Sequence, residues 1–169
     1  HESLRQATGL TLEALGELEY YVYYPNDTAY PVTAQRGYQE SSPFSKWEKL
    51  RAEAMQAIAE AGGRIKYSHS EVGCIGGEEF DVEQHEIEFL PMQVEDAADY
   101  LLLAKWMLRM IGRKYGVTIT FAPKILVGHA GSGLHIHTRA MKDGRNMMVE
   151  GDELSDTARK IIAGYLDLA

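Results

Sequence analysis

Apolar and polar positions alternate with period two in several short stretches and with helical period in three longer ones. Along 12–24, Leu18, Tyr20, Val22 and Tyr24 alternate with Glu17, Glu19, Tyr21 and Tyr23, which predicts a strand rich in aromatic and β-branched residues. Period two returns at 64–72, with Ile65, Tyr67, His69 and Glu71 expected on one face. It returns again at 82–90, where His85, Ile87 and Phe89 alternate with Gln84, Glu86 and Glu88. A short apolar strand is expected at 117–121, and a last one at 134–140 puts His135, His137 and Arg139 together. Three helices fit between and after these strands. The first is capped by Ser45 with Glu48 three residues on, buries Trp47, Leu50, Met55 and Ile58, and stops at Gly62-Gly63. The second spans 94–115, with acids at its start, Arg109, Arg113 and Lys114 near its end, Gly116 as its stop and a broad stripe packed inward. The third runs from Leu154, is capped by Ser155, and continues without a cap through Leu166-Asp167-Leu168-Ala169. Gly73–Gly77 with Glu78 and Glu79 reads as an exposed loop, Gly128–Gly133 as a glycine-rich loop, and Lys142–Asn146 as a hairpin turn.

Strands joined by a hairpin and by helical excursions, without regular βαβ alternation, predict an α+β fold. Its sheet is largely antiparallel, with helices on one face. At 169 residues the chain suits one domain. Seventeen Lys and Arg against twenty-five Asp and Glu give a net charge of −8, which repels phosphate backbones and argues against nucleic acid as a partner. A single cysteine, Cys74, rules out an internal disulfide and points to a reducing, cytoplasmic setting. It lies in a loop with no neighbouring His, so an incidental thiol is the expectation. No stretch is long and apolar enough to span a bilayer, so a membrane is not an expected partner. The start at His1 and the uncapped end suggest a piece of a longer protein. Trp47 and Trp106 fall on apolar helix stripes and are expected in the core.

Four carboxylates on strands, Glu17, Glu19, Glu71 and Glu86, and two imidazoles, His135 and His137, are the candidate chemistry. Side chains at i and i+2 of a strand stand roughly 6 to 7 Å apart on one side, so Glu17 and Glu19 could each serve one of two neighbouring divalent cations. A bound cation would remove the repulsion between like charges on a sheet face. The alternative is an ordinary polar outer face of a half-wet antiparallel sheet. A metal-dependent hydrolase and a non-catalytic scaffold remain compatible with the same residues.

Taken in order, the motifs resemble the glutamine synthetase family. Gly16-Glu17-Leu18-Glu19-Tyr20-Tyr21 resembles its two-glutamate strand, and His69-Ser70-Glu71-Val72-Gly73 its His-His-Glu-Val segment. Gln84-His85-Glu86-Ile87-Glu88-Phe89 resembles its Gln-His/Asn-Glu-Ile-Asp-Phe strand. Thr120-Phe121-Ala122-Pro123-Lys124 follows its Thr-Phe-Met-Pro-Lys signature, and Gly131-Ser132-Gly133-Leu134-His135-Ile136-His137 its Gly-Ser-Gly-Met-His-x-His stretch. The resemblance implies that residues 1–169 form part of the catalytic domain of an ATP-dependent ligase joining ammonia to the γ-carboxylate of glutamate through an acyl phosphate.

It further implies that Glu19, Glu71 and Glu86 hold one Mg²⁺ or Mn²⁺ near the glutamate and the ammonia, and that Glu17 and His135 hold a second near the ATP phosphates. Gly131 would contact the amino-acid substrate, His137 the nucleotide phosphates, and Tyr38 would stand beside the ammonium pocket. The family's third carboxylate of the second metal site, its later arginines and its flap glutamate lie outside these residues. The chain alone is therefore expected to be inactive, and the full-length protein a homo-oligomer. Four departures stand out: Ala130 where the family has Asn, Arg139 where it has a small hydroxyl residue, Pro91 where an aromatic lies near the adenine, and an apparent insertion at 75–82. They leave open a ligase acting on another amine or carboxylate, or a non-catalytic metal-binding paralogue.

Overall fold

In the computed structural model, which describes residues 1–26 and 28–168, the chain forms a curled antiparallel sheet with two long helices packed on one face. Ala169, the last residue of the expected uncapped helix, lies outside the described residues. The elements in chain order are α1 (Glu2–Thr8), β1 (Thr11–Pro25), α2 (Glu48–Glu60), β2 (Ile65–Ser70), β3 (Phe80–Phe89), β4 (Met92–Gln93), α3 (Val94–Lys114) and β5 (Thr118–Thr120). They are followed by β6 (Leu134–Lys142), β7 (Arg145–Asn146), β8 (Val149–Glu150), β9 (Glu153–Leu154) and α4 (Asp156–Asp167). The main sheet has the order β2-β3-β1-β6-β7, with β4 and β5 also pairing with β1. β1 is thus the central strand, and its alternation decides which side chains reach each face.

The inner face carries Leu18, Tyr20, Val22 and Tyr24 of β1 with Ile87 and Phe89 of β3. These pack against Leu50, Ala54 and Ile58 of α2 and Ala104, Leu108 and Ile111 of α3. A side chain such as Leu108, fully removed from water, contributes about 1.5–3 kcal/mol. Close approach of α3 to the sheet requires Gly112, where a Cβ would stand 2.5 Å from Ile119 Cγ1. α3 starts with Glu95 and Asp96 and ends with Arg113 and Lys114, complementing the helix dipole as expected. The Lys142–Asn146 hairpin forms with Asp143 and Gly144 both at positive φ. Ser155 Oγ accepts from Ala158 N at 3.0 Å and caps α4.

Four expectations need correction. Ser45 does not cap α2: the helix begins after Trp47, and the Ser45 hydroxyl is buried without a hydrogen-bond partner among the described residues. Glu48 instead accepts from the Ser42 hydroxyl at 3.0 Å. Ile65 does not share a face with Tyr67. A register shift between them sets Ile65 opposite Phe89, where it packs on the core, and Tyr67 opposite Glu88. The broad stripe of α3 is only partly covered, since Leu102, Trp106 and Met110, spaced by four, remain exposed. Trp106 is therefore not a core residue, whereas Trp47 packs against the cluster. Finally, only part of the 73–79 loop is exposed: Gly73 and Cys74 are buried, and Ile75 bridges to Val82, so the apparent insertion extends β3 as a short hairpin.

The inner face also holds polar groups that alternation did not foretell as a unit. His85 is fully buried between Arg51, which bonds its Nδ1, and Glu83, 3.4 Å from its Nε2. Arg51 Nε also donates to Ser68 Oγ at 3.1 Å, and Tyr24 Oη to Glu83 at 2.7 Å. Burial, and then the Arg51 charge, hold His85 below its ordinary value. Burial would raise Glu83, but bonds from His85, Tyr24 and the Lys46 N–H hold it below the usual carboxylate range. Arg51, which Glu83 helps to keep charged, supplies a cation to this buried group.

Candidate metal centre

On the opposite face, antiparallel register does what sequence separation hides. Glu19 on β1 lies directly opposite Glu86 on β3, and Glu86 in turn lies opposite His69 on β2. One pleat along, His135, Glu17, Glu88 and Tyr67 form a second row across four strands. Directly opposed residues have Cβ atoms about 4.5–5.5 Å apart, so each row is a line of facing side chains. Glu71 follows the last residue of β2 rather than lying within it. Its N–H donates to Gln84 O at 2.7 Å, and its Oε1 is 3.6 Å from His69 Nδ1.

Glu17 is shared by two imidazoles, with His135 Nδ1 at 2.9 Å and His137 Nε2 at 2.9 Å. Both histidines are largely exposed, while Glu86 is 6% exposed. His69 Nε2 stands 3.1 Å from Glu86 and is flanked by the Tyr67 ring and, edge-on at 5.4 Å, by Tyr38. Tyr38 itself is half-exposed on the segment whose Gly37 and Gln39 amides bond Val72 and Ser70 carbonyls.

The glycine-rich loop is fastened to this face. Gln84 Nε2 donates to Glu19 Oε2 at 2.6 Å and to Gly131 O at 3.0 Å, and Tyr21 Oη donates to Ala130 O at 2.7 Å. Gln35 accepts from Ala130 N through its Oε1 and donates to Cys74 O at 3.0 Å, tying the loop to the segment after Glu71. Gly133 passes so close that a Cβ would stand 2.9 Å from Glu19 Oε1.

The electrostatics are those of an under-neutralised acidic cluster. Burial, followed by repulsion from Glu19, Glu71 and Glu17 and only partly offset by His69, pushes Glu86 up to about 7. Burial also raises Glu19, offset in part by the Gly133 N–H. His135 is raised by its bond to Glu17. Carboxylates forced toward neutrality by burial and by one another are the donor set a divalent cation would stabilise, and oxygen ligands with imidazole suit Mg²⁺ or Mn²⁺. The residues therefore fit such ions.

Each candidate from the sequence lies on or beside this face, but the grouping differs in detail. Donor atoms of His69, Glu86 and Glu88 come within 4.8 Å of one another. His69 and Glu88 were not among the predicted ligands, although both sit inside the quoted motifs. Gln84 and Gln35 were also missed: the first was readable as the residue before His85-Glu86, whereas nothing local marks Gln35.

A family model described as "Glutamine synthetase, catalytic domain" matches residues 2–169. Among curated relatives, glutamine synthetase of Thermus thermophilus is 31% identical over 174 residues, covering 99% of this chain and 37% of that protein. Glutamine synthetase of Frankia alni is 35% identical over 133 residues, covering 77% and 27%. The chain thus spans between about a quarter and little more than a third of these relatives' length. Among solved structures, the cryoEM structure of Plasmodium falciparum glutamine synthetase has a TM-score of 0.85 at 20% identity, covering 98% of this chain and 38% of that one. A GmaS/ADP complex has a TM-score of 0.79 at 20% identity, covering 96% and 37%. At that identity the structures carry the fold alone.

Proposed function

Since the chain belongs to the glutamine synthetase family, we propose that residues 1–169 supply part of the catalytic domain of an ATP-dependent ligase that joins ammonia to the γ-carboxylate of glutamate. In this reading Glu19, Glu71 and Glu86 hold one divalent cation beside the substrate carboxylate, and Glu17 with His135 hold a second beside the nucleotide phosphates. When bound, the cations neutralise phosphate and carboxylate oxygens so that the γ-phosphate can pass to the carboxylate, and ammonia then displaces phosphate from the acyl phosphate. Gly131 contacts the amino-acid substrate through its backbone. Gln84 keeps that loop in register with Glu19, since one amide bonds both. His137 contacts the phosphates, and Tyr38 lies beside the ammonium pocket near His69.

The observation that carries the reading is the Glu19–Glu86 opposition across β1 and β3, with Glu86 pushed up to about 7 by its surroundings. Thermal unfolding with Mn²⁺ tests it. At a hundred times the dissociation constant, Mn²⁺ should stabilise the chain by about 2.7 kcal/mol. Glu19→Gln should remove most of that gain. A wild-type chain indifferent to Mn²⁺ overturns the reading, and nucleotide protection only in the presence of Mn²⁺ separates a ligase from a hydrolase.

Ala130 favours a second reading within the same class. Its methyl group cannot reach a substrate as the family's Asn does, so a different amine or carboxylate is the alternative substrate. The second cation has only Glu17 and His135 as assigned ligands among the described residues, so the 169-residue chain is proposed to be inactive alone. Steady ATP-dependent glutamine formation by it would refute this. The full protein is proposed to be a cytoplasmic homo-oligomer; no helix among the described residues is long and apolar enough to cross a membrane.

A further inference from the structure

α3 is anchored on the sheet through Ala104, Leu108 and Ile111, and its opposite face is open. Leu102, Trp106 and Met110 lie there at 68%, 57% and 48% exposure, an apolar stripe about two turns long on a helix of 21 residues. Single apolar residues at a surface are ordinary, whereas a contiguous stripe containing Trp marks a surface that meets something. The charges on the same face are sorted by sign. Helical spacing sets Glu95 and Asp99 in line with the stripe on its N-terminal side, and Arg109 and Arg113 in line with it on its C-terminal side. Asp99 and Arg113 have no ion-pair partner among the described residues. Arg109 rests its guanidinium over the Phe121 ring at 4.8 Å, and Glu95 bonds His1 at 2.6 Å, so both keep hydrogen-bonding capacity to spare.

Position 104 is the midpoint of α3, and the outward face around it is self-complementary. Residues equally far from it on either side are Leu102 and Trp106, Asp99 and Arg109, and Glu95 and Arg113. Two copies of α3 laid antiparallel about that midpoint set each Leu102 against the Trp106 of the other copy and each acid against an arginine, every contact being repeated by the two-fold axis. The helix dipoles oppose as well. A parallel pair would instead face Asp99 with Asp99 and Arg109 with Arg109, which like charges disfavour.

We propose that the outer face of α3 is a docking surface for a second copy of this chain, in a two-fold antiparallel pairing centred on residue 104. It stands on α3 alone and is independent of the ligase reading, since the carboxylates and imidazoles occupy the far face of the sheet. The paired faces are about 32 Å long and one helix wide, at the low end of the interfaces that proteins use, so the pair is weak and reversible. Leu102 and Trp106 supply the affinity, and the charges set direction and register.

Sedimentation equilibrium of the chain in chelator, at micromolar to submillimolar concentrations, tests the pairing. Wild type should show a reversible monomer–dimer equilibrium, and Trp106→Ala should weaken it about tenfold or more. Asp99→Arg and Arg109→Asp should each weaken it by a similar factor, because each sets like charges face to face. An equimolar mixture of these two variants should recover the wild-type affinity, through mixed dimers in which both acid–arginine contacts are restored. A chain that stays monomeric throughout overturns the proposal. So does a dimer indifferent to all three substitutions, which forms through another face, as the exposed Tyr165 and Leu166 of α4 would allow. Failure of the mixture to recover overturns the antiparallel register. Should Arg109→Asp unsettle the fold by leaving Phe121, Glu95→Arg mixed with Arg113→Glu makes the same test.

Discussion

Glu86→Gln should make the metal-free chain more stable at pH 8 while abolishing its response to Mn²⁺. Glu86 sits at about 7 in the fold against an ordinary 4.5. Ionising it in place is therefore harder than in the unfolded chain by about 3 kcal/mol. A carboxyl raised by folding adds stability while protonated, and that contribution is lost as pH rises from 4.5 through about 7. Glutamine keeps the size of the protonated acid and never ionises, and His69 Nε2, 3.1 Å from Glu86, remains as a hydrogen-bond partner. A gain of about 1–3 kcal/mol is expected at pH 8, which for a chain of this size is an increase of roughly 3–10 °C in Tm. At pH 4 the two proteins should melt together. Differential scanning calorimetry across pH 4–8, in chelator and then in Mn²⁺, measures all of this. Equal stability at pH 8, or a variant still stabilised by Mn²⁺, would show that the acidic cluster is not held in tension for a cation.

Ser45→Ala should be neutral or stabilising by up to about 1 kcal/mol in denaturant unfolding, because the hydroxyl is buried without a hydrogen-bond partner among the described residues; a loss near 1 kcal/mol would mean that Ser45 caps α2 after all. Tyr20→Phe should likewise cost nothing, since Tyr20 Oη is buried without a hydrogen-bond partner among the described residues, and a destabilisation beyond about 1 kcal/mol in the same assay would contradict that. Arg51→Ala should cost about 3–5 kcal/mol by leaving Glu83 and His85 buried without their cation, and a change under 1 kcal/mol would show that the pair is not interlocked.

How far the sequence reached can be judged from particular residues. Period-two alternation assigned Glu17 and Glu19 to one face of β1 and His135 and His137 to one face of β6, because the pleat forces the same parity wherever the strand goes. Helical spacing, terminal charges and a capping residue type, equally local signals, located α3 and the Ser155 cap. Period-two alternation misplaced Ile65, since one bulged residue between Ile65 and Tyr67 inverts parity and leaves no mark in composition. The Ser45 cap failed for a related reason: Ser42 reaches Glu48 only because of how the preceding turn is folded. Trp106 obeyed helical spacing, yet spacing identifies a stripe without saying which part of it a sheet will cover.

The sheet face, the order of motifs and the identity of the acidic and imidazole side chains were all local information, carried by chain parity and residue type. Opposition of Glu19 to Glu86, the insertion of His69 beside Glu86, and the clamp of Gln35 and Gln84 on the glycine-rich loop are pairings between different segments of the chain. Strand register and loop packing create them, and neither is a property of any one segment. The same is true of charge: Glu86 is an ordinary carboxylate by type, and becomes a near-neutral acid only where folding removes water and gathers like charges around it.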